Sequence, residues 1–364
     1  MAKKTKKTGN RIFGITSRVL MLIVAGLLVL SYASILVNPA KAWGFSLMGL
    51  MFVPLSVVNL LLLLWAAKRL SRSFIIPLLA LLPSLFFIGR YVQLSSDEVA
   101  PPQDPTIKIM SYNVGRFLLR DAKAGIENSA QCADSIFTLI RKENPDIVCL
   151  QEFRISDIDQ VRSYLRKHLK DYRAEFYLFP MSNGAAFGNV TLSRIPVKSK
   201  GKIKFEESAN LAIFTDYEHQ GRRFRVYNCH FESYNVSLPG ILSGFLHADK
   251  AVVSATGSKM KRSITRRPQQ VNMVFSDIEK CPVEAFVCGD FNDNPMSYSY
   301  YRMTRNRKDS FREVGRGFGA TFAHMWPLLR IDYILLPDRF RALTHDTPRV
   351  RFSDHYPVIT TVEL

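Results

Sequence analysis

The sequence predicts an α/β domain carried behind an N-terminal bundle of about three transmembrane helices. Three observations lead there. The first quarter of the 364 residues holds long stretches without charge, a polar segment with three prolines follows, and from there on short β-branched or aromatic runs alternate with amphipathic ones.

The anchor comes first. After the basic opening MAKKTKKTGNR, no charge falls between Arg18 and Lys41, between Lys41 and Lys68, or between Arg72 and Arg90. By position these gaps hold 41 − 18 − 1 = 22, 68 − 41 − 1 = 26 and 90 − 72 − 1 = 17 residues, and a helix needs about 20 apolar residues to cross a hydrocarbon core. The third stretch, SFIIPLLALLPSLFFIG, is short and contains Pro77 and Pro83. Membrane helices tolerate proline where neighbours re-satisfy the backbone, and Arg90 is placed to snorkel and lengthen the span. Ala40-Lys41-Ala42 resembles a signal cleavage site, but the first apolar run exceeds a signal h-region of about 7–15 residues. The run is therefore read as an anchor.

Loop charge sets the orientation. Lys3, Lys4, Lys6, Lys7 and Arg11 mark the N-terminus, and Lys68, Arg69 and Arg72 mark the loop KRLSRS, whereas NPAKAW has Lys41 alone. Basic segments stay on the cytoplasmic side. Three crossings then place everything after about Tyr91 outside the cytoplasm, giving a multi-pass protein of the cell membrane with an extracytoplasmic domain. The five cysteines, an odd number, count against an oxidising compartment; loop charge outweighs them here.

Residues 1–94 are thus the expected anchor, SSDEVAPPQDPT at 95–106 a stiff linker, and 107–364 the globular domain. From Asp104 onward the chain has 38 Lys plus Arg against 29 Asp plus Glu, 38 − 29 = +9, half of the total +18. A basic surface beside a membrane suits phosphate-bearing partners, but an ordinary solvated surface has the same composition.

Strand-like runs in this domain are IKIMSYNV, DIVCLQE, EFYLFP, FGNVTLSR, NLAIFTDYEH, FRVYNCHF, VEAFVCGDF, IDYILLP and VITTVEL. Helices are expected around Ala130 to Arg141, Ile158 to Leu169, and Gln269 to Ile278, the last opened by Pro268. Residues 233–267 form a long insertion, either a lid, a lipid-facing loop or a plain surface excursion.

Polar residues recur where the runs end. Asn113 follows IKIMSY, Glu152 follows DIVCLQ, His230 follows FRVYNC, Asp290 and Asn292 follow VEAFVCG, Asp332 lies in RIDYILLP, and Asp354 and His355 precede the final strand. Taken singly, an Asn or Asp there is a turn former and His230 a half-buried histidine. Glu152, with no evident salt-bridge partner, would be a solvated end. Taken together, strand ends meet at one rim of a sheet, and carboxylates, amides and two histidines at that rim make a hard-cation site with acid–base groups beside it. No paired cysteines suggest a zinc site.

The motifs SYNV (111–114), PDIVCLQE (145–152), GNVTLSRIPV (188–197), YNCHFES (227–233), CGDFND (288–293), RIDYIL (330–335) and SDHYPV (353–358) resemble, in order, those of the endonuclease/exonuclease/phosphatase superfamily. The resemblance implies two face-to-face β-sheets flanked by helices, and cleavage of phosphate esters with a divalent ion, Mg²⁺ or alternatively Mn²⁺. It implies Asn113, Glu152 and Asp354 as metal ligands, and Asp290 and Asn292 as the pair orienting water and phosphate. His355 would be supported by Asp332, and His230 would be the second histidine, donating a proton to the leaving oxygen. Which histidine is acid and which base stays open. YNCHFES is the histidine-bearing type, which disfavours abasic-site repair.

The expected function is hydrolysis of a phosphate ester, in nucleic acid or phospholipid, at a membrane and with no obligate protein partner. A catalytically silent binding module of the same fold is the alternative, and a complete set of reactive residues argues against it. Tyr298, Tyr300, Tyr301, Phe318 and Phe322 are expected either to line the site or to be core.

Overall fold

The computed structural model describes residues 2–94, 100–122, 125–234 and 250–364. Residues 95–99 of the expected linker and 235–249 of the expected insertion lie outside them. The chain forms two compact units, Met1–Gly89 with Met296–Tyr298, and Arg90–Pro295 with Ser299–Leu364.

In the first unit, α1 (Ala2–Ala33) includes a 20-residue stretch, Gly14–Ala33, long and apolar enough to cross a membrane. The second expected span is instead a pair, α2 (Gly44–Leu50) and α3 (Phe52–Lys68), bent by 60°. Pro54 accounts for the break: its ring crowds the carbonyl four residues back, that of Leu50. The third expected span is shorter still. It comprises a 3₁₀ turn Arg72–Phe74, α4 (Ile75–Leu81) and a second 3₁₀ turn, Leu82–Phe86, with Pro83 near its start. Three uniform helices are therefore replaced, among the described residues, by one long apolar helix, one bent pair and one short apolar segment. Arg90 Nη1 donates to the Pro295 carbonyl at 2.8 Å.

The second unit contains β1 (Thr106–Asn113), β2 (Ile147–Ile155), β3 (Arg173–Pro180), β4 (Ala186–Ser193), β5 (Val197–Lys204), β6 (Leu211–His219), β7 (Arg222–His230), β8 (Glu284–Asp290), β9 (Arg307–Asp309), β10 (Asp332–Pro337), β11 (Arg341–Asp346) and β12 (Val358–Glu363). They form two six-stranded sheets, ordered β11-β12-β1-β2-β4-β3 and β9-β10-β8-β7-β6-β5. Within these two sheets the strands absent from the sequence reading, β5, β9 and β11, are all edge strands, and a further two-stranded pair, Val92–Gln93 with Gly317–Phe318, was also absent from it. In β5 the run VKSKGKIK sends lysines outward, a composition that discourages pairing with another chain and hides the strand from an apolar-run search.

Period-two alternation assigns each strand two jobs. Ile107 and Ile109 of β1 meet Val226, Phe286 and Ile334 between the sheets. Met110 and Tyr112 face the other way, onto Ile136, Phe137 and Ile140 of α5 (Ser129–Glu143) and Val161 and Leu165 of α6 (Val161–His168). On the far side Tyr227, Val287 and Leu335 pack on Val271, Val274, Phe275 and Ile278 of α7 (Lys250–Glu279). Helices thus flank two face-to-face sheets. Two strand pairs, β1–β2 and β7–β8, are parallel, with α5 and α7 in their crossovers. Pro268 does not open α7 but lies inside it; burial of Ile264 before it and Val271 after it keeps one apolar face continuous, which outweighs the lost hydrogen bond.

Candidate active site

Both sheets contribute to the site, not the rim of one. Asn113 ends β1, His230 ends β7 and Asp290 ends β8. Register places Asp290 beside His230 on one neighbour and beside Asp332 on the other. Gly289 makes that approach possible: at φ +136° it takes a backbone shape open to glycine, and a β-carbon there would overlap the Cys229 carbonyl.

Glu152 does not end its strand. The β2–β4 register slips between Leu150 and Phe153, and Glu152 occupies this bulge at φ +52°, an arrangement that re-aims a side chain at a backbone cost. Its carboxylate has a partner the sequence reading missed: Arg116 Nε donates to Oε2 at 3.0 Å. Arg116 itself has φ +57°. A cleft of about 370 Å³ is lined by Gly115, Arg116, Glu152, His324, Ser353 and Asp354, so Glu152 and Asp354 share one hollow. Arg116 and His324 lie outside the strand-end pattern, and only their place in the fold reveals them.

Asp290 is the hub. Its Oδ2 accepts from Asn113 Nδ2 at 2.9 Å and Asn292 Nδ2 at 3.1 Å, and its Oδ1 from the Asn292 backbone at 2.7 Å. His230 Nε2 and His355 Nε2 each lie 3.9 Å from Oδ2, too far for a hydrogen bond. Burial, then the Asp332 charge, push the Asp290 carboxyl up to about 7, against the pull of His355 and the hydrogen bonds. A carboxylate in that range is matched to general-base work at neutral pH.

The histidines differ. Nδ1 of His355 lies 2.9 Å from Asp332 Oδ2; burial opposes its charge, but Asp332 and Asp290 overcome burial and raise it to about 10. His230 is lowered, because burial outweighs Glu152 3.7 Å away. His230 Nε2 is buried with no hydrogen-bond partner. Across neutral pH, His355 is thus the charged histidine and His230 the neutral one.

Ligating atoms of Asp290, Asp332 and His355 lie within 4.8 Å of one another. A protonated His355 bonded to Asp332 has no lone pair to offer, so this trio is better suited to moving or holding a proton. Glu152 and Asp354 line one cleft, and the Asn113 amide oxygen accepts from the Gly115 backbone at 3.0 Å.

Beneath the site, Gln151 Nε2 donates to Asn228 Oδ1 at 2.8 Å, and Asn228 Nδ2 to the Val190 carbonyl at 3.0 Å. This buried amide layer stitches the sheets together. Asp293 is structural, held by Arg267 at 3.2 Å and by Ser299 Oγ at 2.7 Å. Among the aromatic candidates, Phe322 packs on His355 with centroids 5.3 Å apart. Tyr300 is core, Tyr298 is partly buried, and Tyr301 and Phe318 are exposed.

The model of the Endonuclease/Exonuclease/phosphatase family matches residues 110–355, and a domain of unknown function matches residues 10–91. No curated protein matches. Solved structures share the fold. An endonuclease/exonuclease/phosphatase from Beutenbergia cavernae is 20% identical with TM-score 0.52, over 71% of this chain and 72% of that one. The human Nocturnin catalytic domain is 16% identical with TM-score 0.51, over 72% and 96%. D. rerio TDP2, solved with a single-strand DNA product, is 16% identical with TM-score 0.51, over 72% and 100%. With the family model spanning the run from SYNV to SDH, on two sheets whose ends assemble these residues, the chain belongs to the endonuclease/exonuclease/phosphatase family of phosphoester hydrolases.

Proposed function

We propose that the chain is a membrane-tethered, divalent-metal-dependent hydrolase of phosphate esters with Asp290 as general base. The observation that carries this reading is the Asp290 carboxylate, fixed by two amides and raised to about 7. Asp290 takes a proton from water, Asn292 holds the water and a phosphate oxygen, and the new P–O bond forms as the ester P–O bond breaks, the departing oxygen taking up a proton from solvent while Asp290 returns its own to solvent. Charged His355, oriented by Asp332, stabilises the phosphoryl oxygens. His230 offers Nε2 to the substrate. Glu152, Asp354 and Asn113 would hold Mg²⁺ or Mn²⁺, whose charge, when bound, offsets that of the ester.

Glu152→Gln tests the metal assignment apart from turnover. Mn²⁺ affinity, read by electron paramagnetic resonance, is expected to fall by about 10-fold or more, with Mg²⁺-dependent hydrolysis falling alongside. Unchanged affinity would remove Glu152 from the ligand set.

Residues 1–94 are the proposed anchor, 95–106 the linker and 107–364 the catalytic domain. Exposed apolar side chains such as Leu61 (60%), Leu85 (68%) and Phe86 (82%) support lipid as their surroundings. Loop charge supports a cytoplasmic N-terminus and an extracytoplasmic domain. A reporter active only outside the cytoplasm should work when fused after Pro105 and stay silent after Ser73. Silence at both positions would put the catalytic domain inside.

A further inference from the structure

The second sheet has two rims. β7 and β8 run in parallel from Arg222 and Glu284 to His230 and Asp290, so the starts of these strands lie about 20 Å from their catalytic ends. β9 begins at the same far rim with Arg307, paired to Pro337 at the end of β10. These strand ends, with the turn after α7, line a hollow of about 630 Å³ within the second unit.

The charge of this hollow is one-sided. Arg222, Arg223, Arg307 and Arg339 line it, against the single carboxylate of Glu284. Glu284 Oε1 accepts from Arg339 Nε at 3.1 Å, and Asp104, from outside the lining, holds Arg222 at 3.2 Å; surface pairs of this kind are weak. Among the described residues, Arg223 and Arg307 have no carboxylate within ion-pair distance.

Arg307 is held in place without being neutralised. Its Nε donates to the Ala285 carbonyl at 3.3 Å and its Nη1 to those of Arg305 at 3.1 Å and Met303 at 3.4 Å, which leaves Nη2 without an acceptor among the described residues. Burial lowers its pKa from the ordinary arginine value, against the opposing pull of Tyr227, Asp338 and Glu284. A fixed guanidinium short of counter-charge is a pre-organised seat for an anion, and its planar fork matches phosphate oxygens. Beside it Ile278, Pro282 and Val283 form an apolar wall. The volume is that of a site for a small organic molecule, about 300–1,000 Å³, rather than for a bare ion.

We propose that this far-rim hollow binds a small organic phosphate monoester, with its phosphate on Arg307 and Arg223 and its body against Ile278, Pro282 and Val283. A monoester carries about −1.5 to −2 charge at pH 7 and three acceptor oxygens, which suits two guanidinium forks better than the single charge of a carboxylate or a diester. The site is separate from the catalytic one, and its occupancy does not depend on hydrolysis.

Cys281 supplies the readout, since it lines the hollow and is part-buried whereas the other four cysteines are buried. The full chain, in EDTA to prevent turnover, is alkylated with N-ethylmaleimide and labelling of Cys281 is followed by peptide mass spectrometry. Adenosine monophosphate at about ten times its Kd should slow labelling about tenfold, while adenosine at the same concentration leaves the rate unchanged. Arg307→Gln is expected to raise that Kd about tenfold or more. Arg223→Gln, a change at an exposed position that spares folding, should act in the same direction. Protection that survives both substitutions overturns the site, as does equal protection by adenosine, or none from the monophosphate up to about 10 mM, ten times a weak Kd of about 1 mM. Equal protection by inorganic phosphate overturns the seat for an organic body. Protection by a single-stranded oligonucleotide but not by the monophosphate also overturns the proposal, and would make the hollow a track for a nucleic-acid backbone.

Discussion

Asp290→Asn is expected to lower kcat on an unactivated phosphodiester about 10²- to 10⁴-fold while removing from the metal-free protein the loss of stability that the parent shows as pH rises toward about 7. The second half follows from linkage. Burial raises the folded pKa of Asp290 from an ordinary 3.8 to about 7. A carboxylate raised on folding costs stability once pH passes its unfolded value, and the cost grows until pH reaches the folded one. Removing the acid therefore removes this pH dependence, whereas changing a residue there for packing alone would lower Tm equally at every pH. The same pKa gives kcat/KM of the parent an acid limb that levels off above about pH 7 at low metal. That limb should move to lower pH as metal is raised, since a nearby cation favours the carboxylate. A variant that keeps turnover within about twofold of the parent removes Asp290 as general base.

Arg330→Met is expected to cost about 3–5 kcal/mol, because it leaves a buried carboxylate without its partner. Arg330 Nη1 and Nη2 reach the two Asp309 oxygens at 3.1 and 2.7 Å, and Tyr300 adds a hydrogen bond at 2.7 Å. Burial opposes ionisation of Asp309, but the Arg330 charge outweighs it and holds the carboxyl below its ordinary range. For such a depressed acid, the stabilisation is present above the unfolded pKa and is lost as pH falls through the folded one. Calorimetry should show the parent losing Tm in that acid window and Arg330→Met starting low at neutral pH. Adding Asp309→Asn should recover part of the loss, since it removes the orphaned charge. Equal Tm for the parent and Arg330→Met would show that the pair contributes nothing. Arg330 stands two residues before Asp332, so the loss should reach the catalytic turn as well.

The strands that make the site were legible because they are central: IKIMSY, DIVCLQ and VEAFVCG are apolar on both faces, as strands covered by helices and a second sheet must be. β5, β9 and β11 were hidden because edge strands need few buried residues. Asn113, His230 and Asp290 were legible as polar ends of such runs, and Asp332, read as lying inside RIDYILLP, begins its strand. The Glu152 bulge was not, since a register slip depends on which strand lies opposite, and neither was Arg116, whose role comes from a left-handed backbone beside that bulge. The helices at Arg72–Phe86 and around Pro268 were misjudged in opposite directions. Proline shortened a segment in the first, while in the second the apolar face of α7 carried the helix through it.

Water activated at Asp290 would attack phosphorus only when a divalent ion is bound. Hydrolysis of bis(p-nitrophenyl) phosphate by the full chain in oxygen-18 water tests it most directly, with Mg²⁺ or Mn²⁺ in one arm and EDTA in the other. The expected result is turnover only with the divalent ion, and a single labelled oxygen in p-nitrophenyl phosphate with none in p-nitrophenol. Label in the phenol, or equal turnover in EDTA, would contradict it.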